Sequence, residues 1–180
     1  TTGEPKGAIL LHSCFDEAIR FHDRRFAGFN PRLDTSLCFL PLSHIFEKAW
    51  TCYCMHRGVR IFINRDPKDI AVAVRQVCPS FMCSVPRFWE KAYDAIREKI
   101  DSSSPLRRVA FRVALAVGRS RNLHYVRLGL PVPKFLEWRY RFCDRNIFRP
   151  IRRAMGVDRG KMFPTAGAPI GDTVNEFFHA

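Results

Sequence analysis

The sequence contains no apolar run near the ~18 residues that a membrane-spanning helix needs, no C-x-x-C pair and no G-x-S-x-G turn. The first absence excludes a helix that crosses a bilayer. The last removes support for a Ser/His/Asp hydrolase, whose nucleophile sits on that turn. Internal repeats and low-complexity tracts are also missing, so the chain reads as ordinary globular sequence. Acidic side chains are scarce, 17 Asp and Glu against 30 Lys and Arg, for a net charge of +13. With neither an initiating Met nor a signal-like basic start, the expectation is a piece cut from a longer protein.

What is present bounds the class. A length of 180 residues with 47% hydrophobic content and 16 Phe is enough for one domain with a core. The seven cysteines, at 14, 38, 52, 54, 78, 83 and 143, are odd in number and lie mostly in apolar runs, which reads as reduced, buried thiols in a cytoplasmic protein. Cys52-x-Cys54-x-His56 invites a metal, but on a helix positions 52 and 56 share a face that 54 leaves, so three ligands do not converge.

The chain opens on Thr1-Thr2-Gly3-Glu4-Pro5-Lys6-Gly7, two hydroxyls and two glycines around one lysine. Glycines let backbone N–H groups approach an anion, and the ammonium adds a mobile charge, so the stretch reads as a phosphate-gripping loop. An ordinary turn before a strand fits it as well. Ala8 to Leu11 suggests that strand, and Ser13 is placed to cap a helix over 15–26. Continuous apolar runs predict buried strands at 37–40, 59–63 and 81–85. Helices are predicted over 44–56, 67–77 and 86–100, with Gly58 suited to the end of the first and Pro86 to the start of the last. Glu47 and Lys48 read as surface ion-pair residues. Strands alternating with helices imply an α/β fold, a layered parallel sheet with flanking helices.

After Ser102-Ser103-Ser104-Pro105 the character changes. Residues 101–160 hold 14 Arg or Lys and 4 Asp or Glu, ten of the thirteen net positive charges. This segment reads as two or three helices broken near 129–133. Its arginines are interleaved with Phe111, Tyr125, Phe135, Trp138, Tyr140, Phe142 and Phe148, which suits an interfacial patch on an anionic membrane or a solvated helical cap. No nucleic-acid motif accompanies the charge. Residues 162–164 suggest a short strand, and a helix begins near 172.

Three stretches in order, 1–7, Leu40-Pro41-Leu42-Ser43-His44-Ile45-Phe46-Glu47-Lys48 and Thr165-Ala166-Gly167-Ala168-Pro169, resemble the AMP-forming acyl-CoA synthetases of the adenylate-forming superfamily. The long-chain fatty acid branch fits best. The second stretch is similar to its P-L-x-H-x-F-E-[RK] signature, and Val85-Pro86-Arg87-Phe88-Trp89-Glu90-Lys91 to its V-P-R-x-x-E-K. The resemblance covers essentially the whole chain and implies a partial AMP-binding domain: a phosphate loop and α/β core over 1–100, a basic helical insertion over 101–160, and an adenine-loop strand and helix start over 161–180. It implies that Thr1, Thr2, Gly3, Lys6 and Gly7 serve the β and γ phosphates of ATP. His44 would line the acyl and adenylate pocket, where the residues alone suggest a helix cap. Trp50 would wall the fatty-acyl tunnel, and Gly167, Ala168 and Pro169 would face adenine, where the residues alone suggest a strand-to-helix turn. Thr165-Ala166 departs from the Ser/Thr-Gly or Gly-Gly of many relatives.

The implied activity joins a long-chain fatty acid to ATP, giving acyl-adenylate and pyrophosphate, and passes the acyl group to coenzyme A. Mg2+ would neutralise the phosphates. The aromatic-Gly-x-[ST]-Glu stretch, the ribose-binding Asp and the lysine-bearing C-terminal domain of the family are not in this sequence, so the expectation is a fragment incomplete for catalysis, cytoplasmic or peripheral on a membrane. A ligase that stops at the acyl-adenylate, or a basic membrane-binding module with a vestigial loop, would share these residues.

Overall fold

Residues 35–38 alternate between two cores, and the architecture follows from that alternation. In a computed structural model, which describes residues 7–26 and 28–180, strand β1 (Thr35–Cys38) is buried throughout. Its Leu37 packs with Val74, Met82 and Val157. Its Ser36 turns the other way and accepts a hydrogen bond from Trp50 Nε1 at 3.3 Å, beside a second core of Trp50, Tyr53, Cys54, Val59, Phe81 and Cys83. Side chains that point alternately up and down a strand produce this division.

β1 pairs in parallel with β2 (Arg60–Ile63), and helix α2 (Ile45–His56) makes the crossover. On the other side of β1, Phe81 forms a parallel bridge to Ser36 and another to Met162, and Ser84 forms one to Thr165. The parallel pairing expected for 37–40, 59–63 and 81–85 is therefore present in direction, but the expected layered sheet is not. Among the described residues only two strands form, and 81–85 and 162–164 contribute single bridges. Pro79, Pro86 and Pro164 bracket or enter these segments, and proline has no N–H to extend a ladder. β2 was expected to be buried; it is an edge, with Phe62 39% and Ile63 68% exposed. An apolar run alone does not tell an edge strand from a central one.

The helices mostly fall where expected. α1 (His12–Arg25) starts one turn early, with Leu11 as its cap and no side-chain capping bond, so Ser13 lies inside the helix and is not its cap. Ala8 to Leu11 forms no strand and is exposed, because no strand among the described residues pairs with it. α2 ends in a turn through Gly58 at φ +66, a left-handed conformation that suits glycine. A 3-10 turn at Pro67–Asp69 leads into α3 (Ile70–Val77). α4 (Pro86–Asp101) and α5 (Pro105–His124) both begin on proline, where a missing N–H costs nothing. The basic segment breaks at 129–133 as expected, with Gly129 at φ +67, then continues as α6 (Lys134–Cys143), a π-helical turn over Asp144–Phe148 and α7 (Arg149–Met155). The last element is α8 (Asp172–His179).

α5 and α6 pack through Ala114, Val117 and Cys143. The end of the chain closes on α5, where Asn122 Nδ2 donates to the carbonyls of His179 and Ala180 at 3.0 and 2.9 Å. Gly118 is the point of closest approach: a Cβ there would overlap the Ala180 carbonyl.

Candidate functional site

Parallel pairing places the exits of β1, Ser84 and Thr165 along one edge. β1 leads to β2 on one side, whereas the segment ending at Ser84 leads through α4, α5, α6 and α7 to the Met162–Thr165 segment on the other. The chain therefore leaves in opposite directions from two adjacent segments. In open parallel sheets the crevice at such a switch point, at the carboxyl ends, is where ligands bind. The residues entering it are those that follow β1, up to His44, and those that follow Ser84.

The 165–169 segment is anchored at this edge. Trp89 Nε1 lies 2.8 Å from Ser84 Oγ and 3.0 Å from Thr165 Oγ1, and the two oxygens are 2.8 Å apart. Ser84 N–H donates to the Pro164 carbonyl at 2.8 Å and Ala166 N–H to the Ser84 carbonyl at 3.2 Å. Trp89 is 8% exposed and Ser84 fully buried, so these bonds replace water that neither group reaches. From this base Gly167, Ala168 and Pro169 emerge exposed, with Gly167 at φ +98 and nothing within 4 Å of the position a Cβ would take. The loop thus presents backbone and small side chains.

His44 caps α2: its Nδ1 accepts from the Phe46 N–H at 3.3 Å, so in the neutral ring Nε2 carries the proton. The residue is exposed, and the cap that the residues alone suggested is present. Trp50 is 3% exposed, with rings of Phe26, Phe29, Tyr53 and Phe81 around it; Phe46 packs against the same core. Gly7 is described as exposed coil. Thr1, Thr2, Gly3 and Lys6 lie outside the described residues.

Three features were not read from the sequence or were misread. Ser84 and Trp89 were not singled out as anchors, and nothing local links Ser84 to a hydroxyl 81 residues away. Glu47, expected on a surface ion pair, is fully buried. A signal existed, since Glu47 stands three and seven residues before Trp50 and Cys54 on the inward face of α2. Burial pushes its carboxyl up, against the Cys38 thiol, the Leu40 backbone and Thr51, which favour the charged form. The thiols around it are pushed up too, Cys38 to about 11 and Cys54 to about 12, mainly by burial. All seven cysteines are free, but Cys14 is exposed and Cys52 and Cys78 are only half-buried; the expectation of buried thiols holds for 38, 54, 83 and 143.

All of residues 1–180 match the family described as AMP-binding enzyme. The chain belongs to that family. Similar relatives include the long-chain-fatty-acid–CoA ligase ACSBG2 of Rattus norvegicus, 29% identical over 99% of this chain and 27% of the relative. Long chain acyl-CoA synthetase 2 of Arabidopsis thaliana is 29% identical over 98% of this chain and 26% of its own length. Fatty acyl-CoA synthetase A of Dictyostelium discoideum is 26% identical over 100% and 25%. The chain thus spans about a quarter of the length of the curated relatives it matches. No solved structure matches it.

Proposed function

We propose that this chain is the phosphate-loop and adenine-loop portion of an ATP-dependent long-chain fatty acid–CoA ligase. The observation that carries the reading is the loop 165–169, tied through Thr165 to Ser84 and Trp89 at the carboxyl edge of the parallel segments, with family membership across the whole chain. In this reading the exposed backbone of Gly167 to Pro169 meets adenine, Lys6 and the Thr1, Thr2 and Gly3 backbone hold the leaving pyrophosphate, and His44 borders the reacting carboxylate. No general base is required, because a fatty acid is already ionised near neutral pH; the chain's part is positioning and charge. Trp50, with its indole N–H held by Ser36, stiffens α2 behind His44 as the inner wall of an acyl tunnel. Coenzyme A accepts the acyl group, and Mg2+ supplies charge neutralisation at the phosphates. Among the described residues no group of three or more His, Cys, Asp or Glu could hold a metal ion, so none of them is given that role.

ATP–pyrophosphate exchange by the complete protein tests the reading. Exchange should require a long-chain fatty acid and proceed without coenzyme A, with thioester appearing only when coenzyme A is added. Exchange with no thioester would instead identify a ligase that stops at the acyl-adenylate. No exchange would favour a membrane-binding module.

A peripheral contact with anionic membrane is favoured by two exposed stripes in the basic segment. Leu106, Val109 and Val113 on α5 are 79%, 51% and 48% exposed, and Phe135, Trp138 and Phe142 on α6 are 67%, 66% and 62% exposed. Arg139 lies over the Phe135 ring at 5.5 Å, with its cation beside apolar surface as an interfacial residue requires. Phe111 instead packs into the interior. Reversing the exposed Arg107 and Arg112 to Glu should weaken co-sedimentation with anionic vesicles at low salt by on the order of 10-fold or more, since each basic residue near such a surface contributes ~1 kcal/mol. Equal sedimentation of variant and wild type would leave the segment a solvated cap.

A further inference from the structure

The core around Leu37 and Val74 is open on one side. Between α3, α4 and α7 lies a cleft of about 700 Å³, within the ~300–1,000 Å³ typical of small-molecule pockets. Four cations, Arg75, Arg87, Lys91 and Lys99, line it, and no acidic residue does. None of the four takes part in an ion pair among the described residues.

The arrangement is written into α4 at helical spacing. Positions 87, 91, 95 and 99 form one ridge and 88, 92, 96 and 100 the next; the first reads Arg, Lys, Ala, Lys and the second Phe, Ala, Ile, Ile. Both ridges line the cleft. The acids of the same helix, Glu90, Asp94 and Glu98, repeat at the same spacing and stay out of it. Like charges at i and i+4, as in Arg87 and Lys91, repel, and an anion between them would relieve that repulsion. The alanines at 92 and 95, with Ala154 across on α7, keep the floor clear. His44, Trp50 and residues 165–169 do not line this space. Arg87 and Lys91 lie in the stretch 85–91, of which the adenylation reading uses Trp89 but neither cation.

We propose that the cleft binds one molecule of a single-chain anionic amphiphile, with the head group between Arg87 and Lys91 on neighbouring turns of α4 and the alkyl part running past Ala92 and Ile96 against Met155. Burial of the chain supplies the non-directional attraction, and charge-assisted hydrogen bonds from guanidinium and ammonium select an anionic head. The site goes beyond fatty acid activation and does not depend on it.

Calorimetric titration of the complete protein with dodecanesulfonate, kept below its micelle concentration, reads this cleft as the part of the binding that variants of its lining remove; a sulfonate also fits the proposed acyl tunnel, whose residues His44 and Trp50 do not line the cleft. One saturable site that depends on the cleft residues is expected. Its affinity should fall about 10-fold or more in the Arg87→Glu, Lys91→Glu double variant and as salt rises, as expected for charge recognition. Ala92→Trp, which fills the floor, should weaken binding at every salt concentration. The uncharged dodecyl maltoside should bind about 10-fold more weakly than the sulfonate. Circular dichroism establishes that the variants are folded. If one is not, the other variant, read beside the sulfonate–maltoside comparison and the salt dependence on wild-type protein, decides the matter. Equal affinity for the two detergents, unchanged sulfonate affinity in the folded double variant, binding of anionic vesicles but not of the monomer, or no saturable site would each overturn the proposal. ATP–pyrophosphate exchange run alongside reads fatty acid activation separately, so either idea can fail without the other.

Discussion

Trp89→Ala should destabilise the protein by about 3–5 kcal/mol, the usual loss when a buried indole is removed and its cavity only partly collapses. The residue is 8% exposed; its ring meets Phe88, Phe163 and Phe178 with centroids at 5.0, 5.8 and 5.0 Å. Alanine would remove those contacts and the donor shared by Ser84 and Thr165. In a domain of this size each kcal/mol shifts Tm by about 2–4 °C, so the change is plain in a thermal scan. Trp89→Phe separates the two contributions. It keeps most of the apolar volume and loses only the N–H, for about 1–2 kcal/mol, while the two hydroxyls still bond each other at 2.8 Å. If the loop 165–169 is used as proposed, Trp89→Phe should also raise the KM for ATP more than it lowers kcat, because it loosens a binding element and leaves the reacting groups in place. A Tm for Trp89→Ala within about 2 °C of wild type would mean that the indole does not tie the loop to the core.

Lys6→Ala in the complete protein should slow acyl-adenylate formation by ~10- to 1000-fold with little effect on Tm, since it removes one charged contact to the leaving pyrophosphate. Arginine at this position should rescue only partly, because its planar fork lacks the mobility of a lysine ammonium. An unchanged rate of ATP-dependent adenylation would mean that the opening loop does not grip phosphate. The two variants differ in kind: Trp89→Ala acts on stability first and on ATP binding through it, whereas Lys6→Ala acts on the chemical step alone. Thermal scans and pyrophosphate release on both proteins distinguish the two outcomes.

The helices were legible because their signals are local. Pro86 marks a helix start, Gly58 marks an end, and the break near Gly129 lies where small and rigid residues cluster. The order of motifs along the chain was enough to point to the AMP-binding family, since each motif is a few residues long and needs no fold to be recognised. The extent of the sheet was not legible. Apolar runs at 81–85 and 162–164 look like full strands, yet prolines beside and within them limit each to isolated bridges. Whether β2 is central or an edge depends on what covers it, which no residue of β2 encodes.

Burial and partnership were decided only in three dimensions. Glu47 beside Lys48 looks solvated in a linear reading, and only the packing of α2 turns it under Trp50 and Cys54. The seven aromatics of the basic segment are alike in sequence, but Phe111 is buried while Phe135, Trp138 and Phe142 face outward. Ser84 finds Thr165 across 81 residues of sequence, and Lys161 reaches Asp34 across 127. The α4 cations come to line one cleft only when α3 and α7 pack beside that helix. Backbone propensity and capping act over a turn or two and so are written in neighbouring residues. Removal from water and the pairing of polar groups depend on which distant segments meet, and only the tertiary structure decides that.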